Sequence, residues 1–219
     1  EKYGLEYIEM DPIMSYPVPT GKGVIHFFKD LDRTLESISK VAPEDVKNYK
    51  EFVEFWGKIN KGVLKIFTTP PSTKNIFAEM ALNQIKDGAM FKKGEQVSGL
   101  QKILSSYGKV VKDSFENPNM KAALLWFAAQ SGPLPDHSAT GDFVGWQSML
   151  HESGAKHPRG GRGMLTQAMK NFIEAHGGEV KSDHPVEKIL IENGKAFGAR
   201  TESGEEFRAE IIASTAHVQ

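Results

Sequence analysis

The residues best suited to chemistry stand together in one short stretch, Pro158-Arg159-Gly160-Gly161-Arg162-Gly163, immediately before an amphipathic run. Glycines at the entrance to a helix expose backbone N–H groups, and with the helix dipole these attract a phosphate or another electron-rich group. Glycine there also serves as nothing more than a tight turn, so the feature alone leaves both readings open. Gly21-Lys22-Gly23 is too short for a phosphate loop and sits in a strand-to-strand turn. Neither G-x-G-x-x-G at a strand-to-helix turn nor G-x-x-x-x-G-K-[ST] occurs. His26, His137, His151, His157, His176, His184 and His217 show no metal-ligand spacing. His151 and His157 lie across a glycine and do not share a helix face. Asp136-His137-Ser138 are chain neighbours, which is not how a hydrolytic triad is built. There is no cysteine, which excludes disulfide scaffolds, zinc-thiolate sites and dithiol redox chemistry. Any redox role therefore has to come from a bound cofactor.

Charge narrows the partners. With 27 basic against 28 acidic residues, the net charge of -1 gives no electrostatic reason to expect nucleic acid or an anionic membrane. Lys86, Lys92, Lys93, Lys102 and Lys109 are the best candidates for a basic patch, and they read more simply as solvated helix faces. An apolar content of 39% with 25% charged residues is ordinary for a globular protein, and 219 residues suffice for one large or two small domains. No apolar run approaches the roughly 20 residues of a spanning helix. No signal peptide is seen, and the expected location is the cytoplasm. The chain opens Glu1-Lys2-Tyr3 without methionine, and is expected to be an internal piece of a longer protein.

The elements that would position the glycine turn follow from periodicity. Residues 3 to 28 have strand character, with Leu5, Tyr7 and Ile8 before Asp11-Pro12 and Val24 to Phe28 after the turn at 20–23. Pro12, Pro17 and Pro19 predict edge or irregular pieces between them. From about 30 to 152 the pattern is helical. Tyr49, Phe52, Val53, Trp56, Ile59, Val63 and Ile66 recur at steps of three and four, with Pro43, Glu44 and Asp45 suited to the first turn and Pro70-Pro71 to the end. Thr73 is placed to cap a second helix burying Ile76, Phe77, Met80 and Ile85. A third helix carries Leu100, Ile103, Leu104, Tyr107 and Val111, with a break expected at Gly108. Asn117-Pro118 has the order of N-cap and first helical residue, and residues 131–140 read as a loop. The aromatics of this region make either a helical core or a cap lining an apolar cavity.

The pattern changes after His157. A helix with Leu165, Ala168, Met169, Phe172 and Ile173 on one face ends at Gly177-Gly178. Short strands follow at 179–181, 186–191, 195–201, 205–209 and 210–214, with Asn193-Gly194 and Ser203-Gly204 as hairpin turns. The domain boundary is therefore expected near 155, giving domains 1–155 and 156–219.

The ordered series Pro158-x-Gly160-Gly161-x-Gly163-x-Leu165-x-x-Ala168, Gly177-Gly178-Glu179-Val180, Val186-Glu187-Lys188-Ile189-Leu190, Gly194-Lys195-Ala196-x-Gly198-Ala199 and Ala209 to Ala216 resembles the phytoene desaturase-like FAD-dependent oxidoreductases. The stretch Asp30-Leu31-Asp32-Arg33-Thr34, with Pro43-Glu44-Asp45, Tyr49 and Phe52, is similar to that family's substrate-domain entry. The resemblance implies an α/β fold: a mostly helical substrate or cap domain with a small sheet, then part of a Rossmann-like FAD-binding domain. It implies FAD as cofactor, an apolar polyene- or lipid-like substrate and hydride transfer to the flavin. It places Arg159, Gly160 and Gly161 near the flavin, the backbone of Val186 at the adenine, and Thr215 and Ala216 near the ADP portion. Val186 itself reads as a buried strand residue in either case. The family's N-terminal glycine-rich turn and second flavin motif have no counterpart in this sequence, so the 219-residue chain alone is expected to be inactive. No acid–base pair is nominated and no catalytic residue is named. A lipid substrate makes peripheral membrane contact an expectation, although no amphipathic basic helix argues for it. Two rivals stay open: an amine oxidase-like flavoenzyme, for which an aromatic cage and a flavin-facing lysine cannot be placed, and a non-enzymatic binding module that keeps the fold.

Overall fold

The computed structural model describes residues 2–19, 21, 23–67, 70, 72, 74 and 99–216. The chain divides into two units, Tyr7–His157 and the pair of segments Glu1–Glu6 and Pro158–Gln219.

In the first unit, β1 (Tyr7–Glu9) is followed by β2 (Met14–Pro17) and β3 (Val24–Phe27), which pair antiparallel with Met14 opposite Phe27 and Pro17 opposite Val24. Pro17 closes its strand, where the missing N–H does least harm. Ile25 and Phe27 point inward from β3 at the period of two a half-buried strand requires. Asp30 caps α1 (Leu31–Ser39) by accepting from the Arg33 amide at 3.1 Å. Pro43, Glu44 and Asp45 form a separate 3₁₀ turn, and α2 (Val46–Phe67) begins after it. Tyr49, Phe52, Trp56 and Ile59 are buried along one face of α2, as their spacing requires. The expected helix capped by Thr73 lies outside the described residues.

The expected third helix is two: α3 (Gly99–Leu104) and α4 (Tyr107–Ser114). The break falls at Ser105-Ser106 rather than Gly108, because the Ser106 hydroxyl accepts from the Lys109 amide and starts a new helix. Gly108 instead allows a close approach: its N–H donates to the Pro135 carbonyl at 2.9 Å, where a Cβ would clash. Asn117 caps α5 (Pro118–Ala129) through the Asn119 amide at 2.8 Å, with Pro118 at the first helical position. After the loop come α6 (Gly141–Gly145), a 3₁₀ turn (Trp146–Met149) and α7 (Leu150–Ser153). The next strand, β4 (Lys156–Pro158), pairs with β1. The core of this unit joins Phe27, Ile38, Tyr49, Trp56, Tyr107, Leu124 and Val144.

In the second unit, α8 (Gly163–Ala175) is followed by an antiparallel meander of β5 (Val186–Glu192), β6 (Lys195–Thr201) and β7 (Glu206–Arg208). Asn193 (φ 52°) and Gly194 (φ 76°) make the tight hairpin turn between β5 and β6. The N-terminal segment docks on α8: Asn171 donates to the Tyr3 carbonyl at 3.0 Å, and the Tyr3 ring meets Phe172 edge-on. Two expected strands are absent among the described residues. Residues 179–181 and 210–214 are irregular, with Val180 exposed and Ile211 86% exposed. A strand's backbone groups need a ladder partner, and neither segment joins the β5–β6–β7 sheet. The α8 stripe differs from its expectation as well, since it buries only Ala168.

Candidate functional site

The turn entering α8 is built by two left-handed glycines. Gly161 N–H donates to the Pro158 carbonyl at 3.0 Å, closing a four-residue turn whose third position, Gly160, has φ 86°. That is the conformation for which a side chain is strained, so glycine is required there. Gly161 follows at φ 101°, and the space its side chain would fill holds no atom within 4 Å. Met164 and Leu165 then donate back to Gly161 and Arg162, and the helix is under way. Arg159 donates its amide to the Glu6 carbonyl at 2.8 Å, and its Nε lies 2.8 Å from the Glu6 carboxylate. That pair is exposed and holds the side chain weakly. The turn thus offers bare backbone, an open approach and one exchangeable cation at a helix N-terminus. This donor set fits the edge of an electron-rich ring or a phosphate.

The other residues named by resemblance lie on different elements from this turn. Val186 begins β5, an edge strand, opposite Thr201 and beyond an irregularity in register before Lys188. It is 58% exposed, not buried, because nothing covers its face of the short sheet among the described residues. Thr215 and Ala216 are exposed on irregular backbone rather than at the end of a strand, and the Ala216 amide donates to the Ser214 hydroxyl at 3.3 Å. Among the described residues no hydrogen bond joins the turn, Val186 and the 215–216 segment.

Two constellations in the first unit escape sequence inspection. Tyr49, buried on α2, meets His151 of α7 at 2.9 Å through its hydroxyl and Nε2. His151 Nδ1 lies 3.2 Å from the Lys29 carbonyl, which only accepts, so Nδ1 carries hydrogen and Nε2 accepts from the phenol. Burial holds the His151 imidazolium below its ordinary pKa, against the opposing pull of the Lys29 and Phe28 carbonyls and Asp30. Burial also raises the Tyr49 phenol, which stays neutral. Asp45, fully buried, accepts from the Glu116 and Asn117 amides at 2.8 Å each and from Asn48 at 2.9 Å. It ties the loop before α5 to the start of α2, a role its place in a helical first turn does not announce. Among the described residues no three His, Asp or Glu side chains are grouped to hold a metal ion. No described helix is long and apolar enough to cross a membrane.

Comparison with known proteins covers both units. The phytoene desaturase (lycopene-forming) of Pantoea ananas is 26% identical over 217 residues, 97% of this chain and 41% of that protein. The 4,4'-diapophytoene desaturase (4,4'-diapolycopene-forming) of a Methylomonas species is 23% identical over 208 residues, 95% of this chain and 38% of that protein. The all-trans-retinol 13,14-reductase of Danio rerio is 23% identical over 213 residues, 91% of this chain and 32% of that protein. The chain therefore spans about two fifths or less of the length of these relatives. The flavin-containing amine oxidoreductase family matches residues 8–219, through the helices of the first unit, the glycine turn and the meander alike. By that match the chain belongs to the flavin-containing amine oxidoreductase family.

Proposed function

We propose that the protein to which this chain contributes is an FAD-dependent oxidoreductase that desaturates or dehydrogenates an apolar, polyene-like substrate. Residues 1–155 are its substrate or cap portion and 156–219 part of its flavin-binding portion. The observation that carries the reading is the left-handed Gly160-Gly161 turn at the N-terminus of α8, inside a family match that runs straight through it. The relatives favour a polyene over an amine: the three compared above are named for phytoene, diapophytoene and retinol.

In this reading the bound flavin supplies the acceptor for a hydride leaving a substrate carbon. The chain's own residues hold and orient it. Gly160 and Gly161 would let bare backbone approach the ring system, and the first turn of α8 would offer its N–H groups and positive dipole end to electron-rich atoms. Arg159, held only by its exposed pair with Glu6, would supply a cation to a cofactor group. The backbone of Val186, on its open sheet edge, would hold the adenine, and Thr215 and Ala216 would hold the ADP portion. No residue of the chain is assigned a proton transfer.

Anaerobic mixing of the flavin-loaded gene product with phytoene, with a saturated hydrocarbon of similar length and with a primary amine separates the alternatives. Flavin bleaching by phytoene alone is expected. Bleaching by the amine alone would move the assignment to the amine oxidases, and a flavin unaffected by all three would remove the desaturase reading.

A further inference from the structure

Gln147 lies in the 3₁₀ turn between α6 and α7 and is fully buried. Among the described residues neither its Oε1 nor its Nε2 has a hydrogen-bond partner. A buried amide without partners carries a desolvation cost that a second state of the protein can offset. The turn passes into α7 without a break, since Met149 and Leu150 both keep helical backbone. Gln147 and His151 are therefore four residues apart on one helical run, and their side chains are neighbours on its face toward α2. Gln147 also stands beside the Tyr49 phenol. It opposes the rise that burial imposes on that group, yet lies outside hydrogen-bond geometry.

The Tyr49–His151 contact has a direction. With its Nδ1–H given to the Lys29 carbonyl, neutral His151 accepts the phenol hydrogen at Nε2. An imidazolium donates from both nitrogens, so across the same 2.9 Å the phenol oxygen has to accept. The phenol hydrogen then turns to the other side of its C–O bond. Gln147 Oε1 is an unused acceptor beside it, and because the amide makes no bonds, turning it to present oxygen breaks none. Around the ring, burial disfavours the imidazolium, while the Lys29 and Phe28 carbonyls and Asp30 favour it. Of the other charges on the packed elements, Glu152 of α7 is paired with Lys61 of α2 at 3.6 Å and Arg33 of α1 with Asp11 at 3.0 Å. Lys29 lays its side chain along Gly154.

We infer that Gln147 is the acceptor that lets the Tyr49–His151 contact reverse its direction when His151 takes up a proton. The proton comes from solvent and binds Nε2, Nε2–H donates to the phenol oxygen, and the phenol hydrogen turns to Gln147 Oε1. Tyr49 loses no proton, and the N–H bond is the only covalent bond made. The joint between α2, α7 and the Lys29 backbone thus holds in both protonation states.

The test follows the His151 imidazole by NMR through a pH titration of the purified protein carrying isotopically labelled histidine, its signals assigned by their loss in His151→Gln. Gln147→Met removes the amide at similar volume and should lower the proton affinity of His151 about tenfold, the worth of one net hydrogen bond. In a Tyr49→Phe background, which breaks the relay, the same substitution should leave that affinity unchanged. No change in Gln147→Met, or an equal fall in the Tyr49→Phe background, would overturn the inference. A second reading needs no variant: in the unmodified protein the Gln147 side-chain carbonyl carbon should shift with the His151 midpoint. A signal flat through that midpoint would overturn the inference as well. So would unfolding before His151 titrates, because the folded protein would then have no protonated joint to hold.

Discussion

Asp45 and His151 each join segments far apart in the chain, and each makes a measurable claim. Both Asp45 oxygens accept backbone N–H groups from residues 116 and 117, in a site closed to water. Asp45→Ala leaves those donors without a partner and is expected to cost about 2–4 kcal/mol, read as a lower urea midpoint with an unchanged slope. A urea midpoint indistinguishable from that of the parent would contradict the structure here. For His151 the folded pKa lies below the ordinary value, so the unfolded chain takes up a proton first. The stability that neutral His151 provides is complete above its unfolded pKa of about 6.5 and is lost as the pH falls through the depressed folded value. His151→Gln keeps a donor for Lys29 and an acceptor for Tyr49 but does not titrate. Its urea midpoint should therefore fall less steeply than that of the parent as pH is lowered from about 7 to 5. Identical slopes would mean that His151 is not held neutral by the fold.

At the scale of elements, the glycines of the helical unit separate packing from propensity. A side chain at Gly145 on α6 would run into the Trp56 ring, whereas one at Gly57 on α2 would meet nothing within 4 Å. Gly145→Ala is expected to destabilise by about 2–4 kcal/mol through overpacking and a displaced indole. Gly57→Ala should stabilise by about 0.5–1 kcal/mol, because alanine loses less backbone entropy in a helix interior. Thermal unfolding of the two variants checks both signs. Local patterns were sufficient for α2, for the Asn117-Pro118 start of α5 and for the hairpin turn at Asn193-Gly194, since each is decided by residues within a few positions. They failed for residues 179–181 and 210–214, whose strand-like composition has no adjacent strand among the described residues to bond. They failed likewise at Gly108, which reads as a helix breaker but serves a contact with Pro135. Of the candidate site, the glycine turn was legible because positive φ is written in the residue type. The Tyr49–His151 pair was not, because its members are 102 positions apart and each looks ordinary in its own helix.

The whole chain joins a helical unit with a buried aromatic core to a smaller unit carrying the glycine turn and an open-edged meander. Its family membership runs across both, and its near-zero net charge supplies no long-range field to steer a charged ligand. With no cysteine and no acid–base pair assigned, the proposed chemistry depends on the flavin. The most direct measurement is therefore the visible absorption spectrum of the complete gene product, purified in folded form and examined before and after denaturation. A flavin spectrum is expected, its chromophore released as FAD on unfolding. Well-folded protein that carries no flavin and takes up none when FAD is supplied would contradict the proposed function.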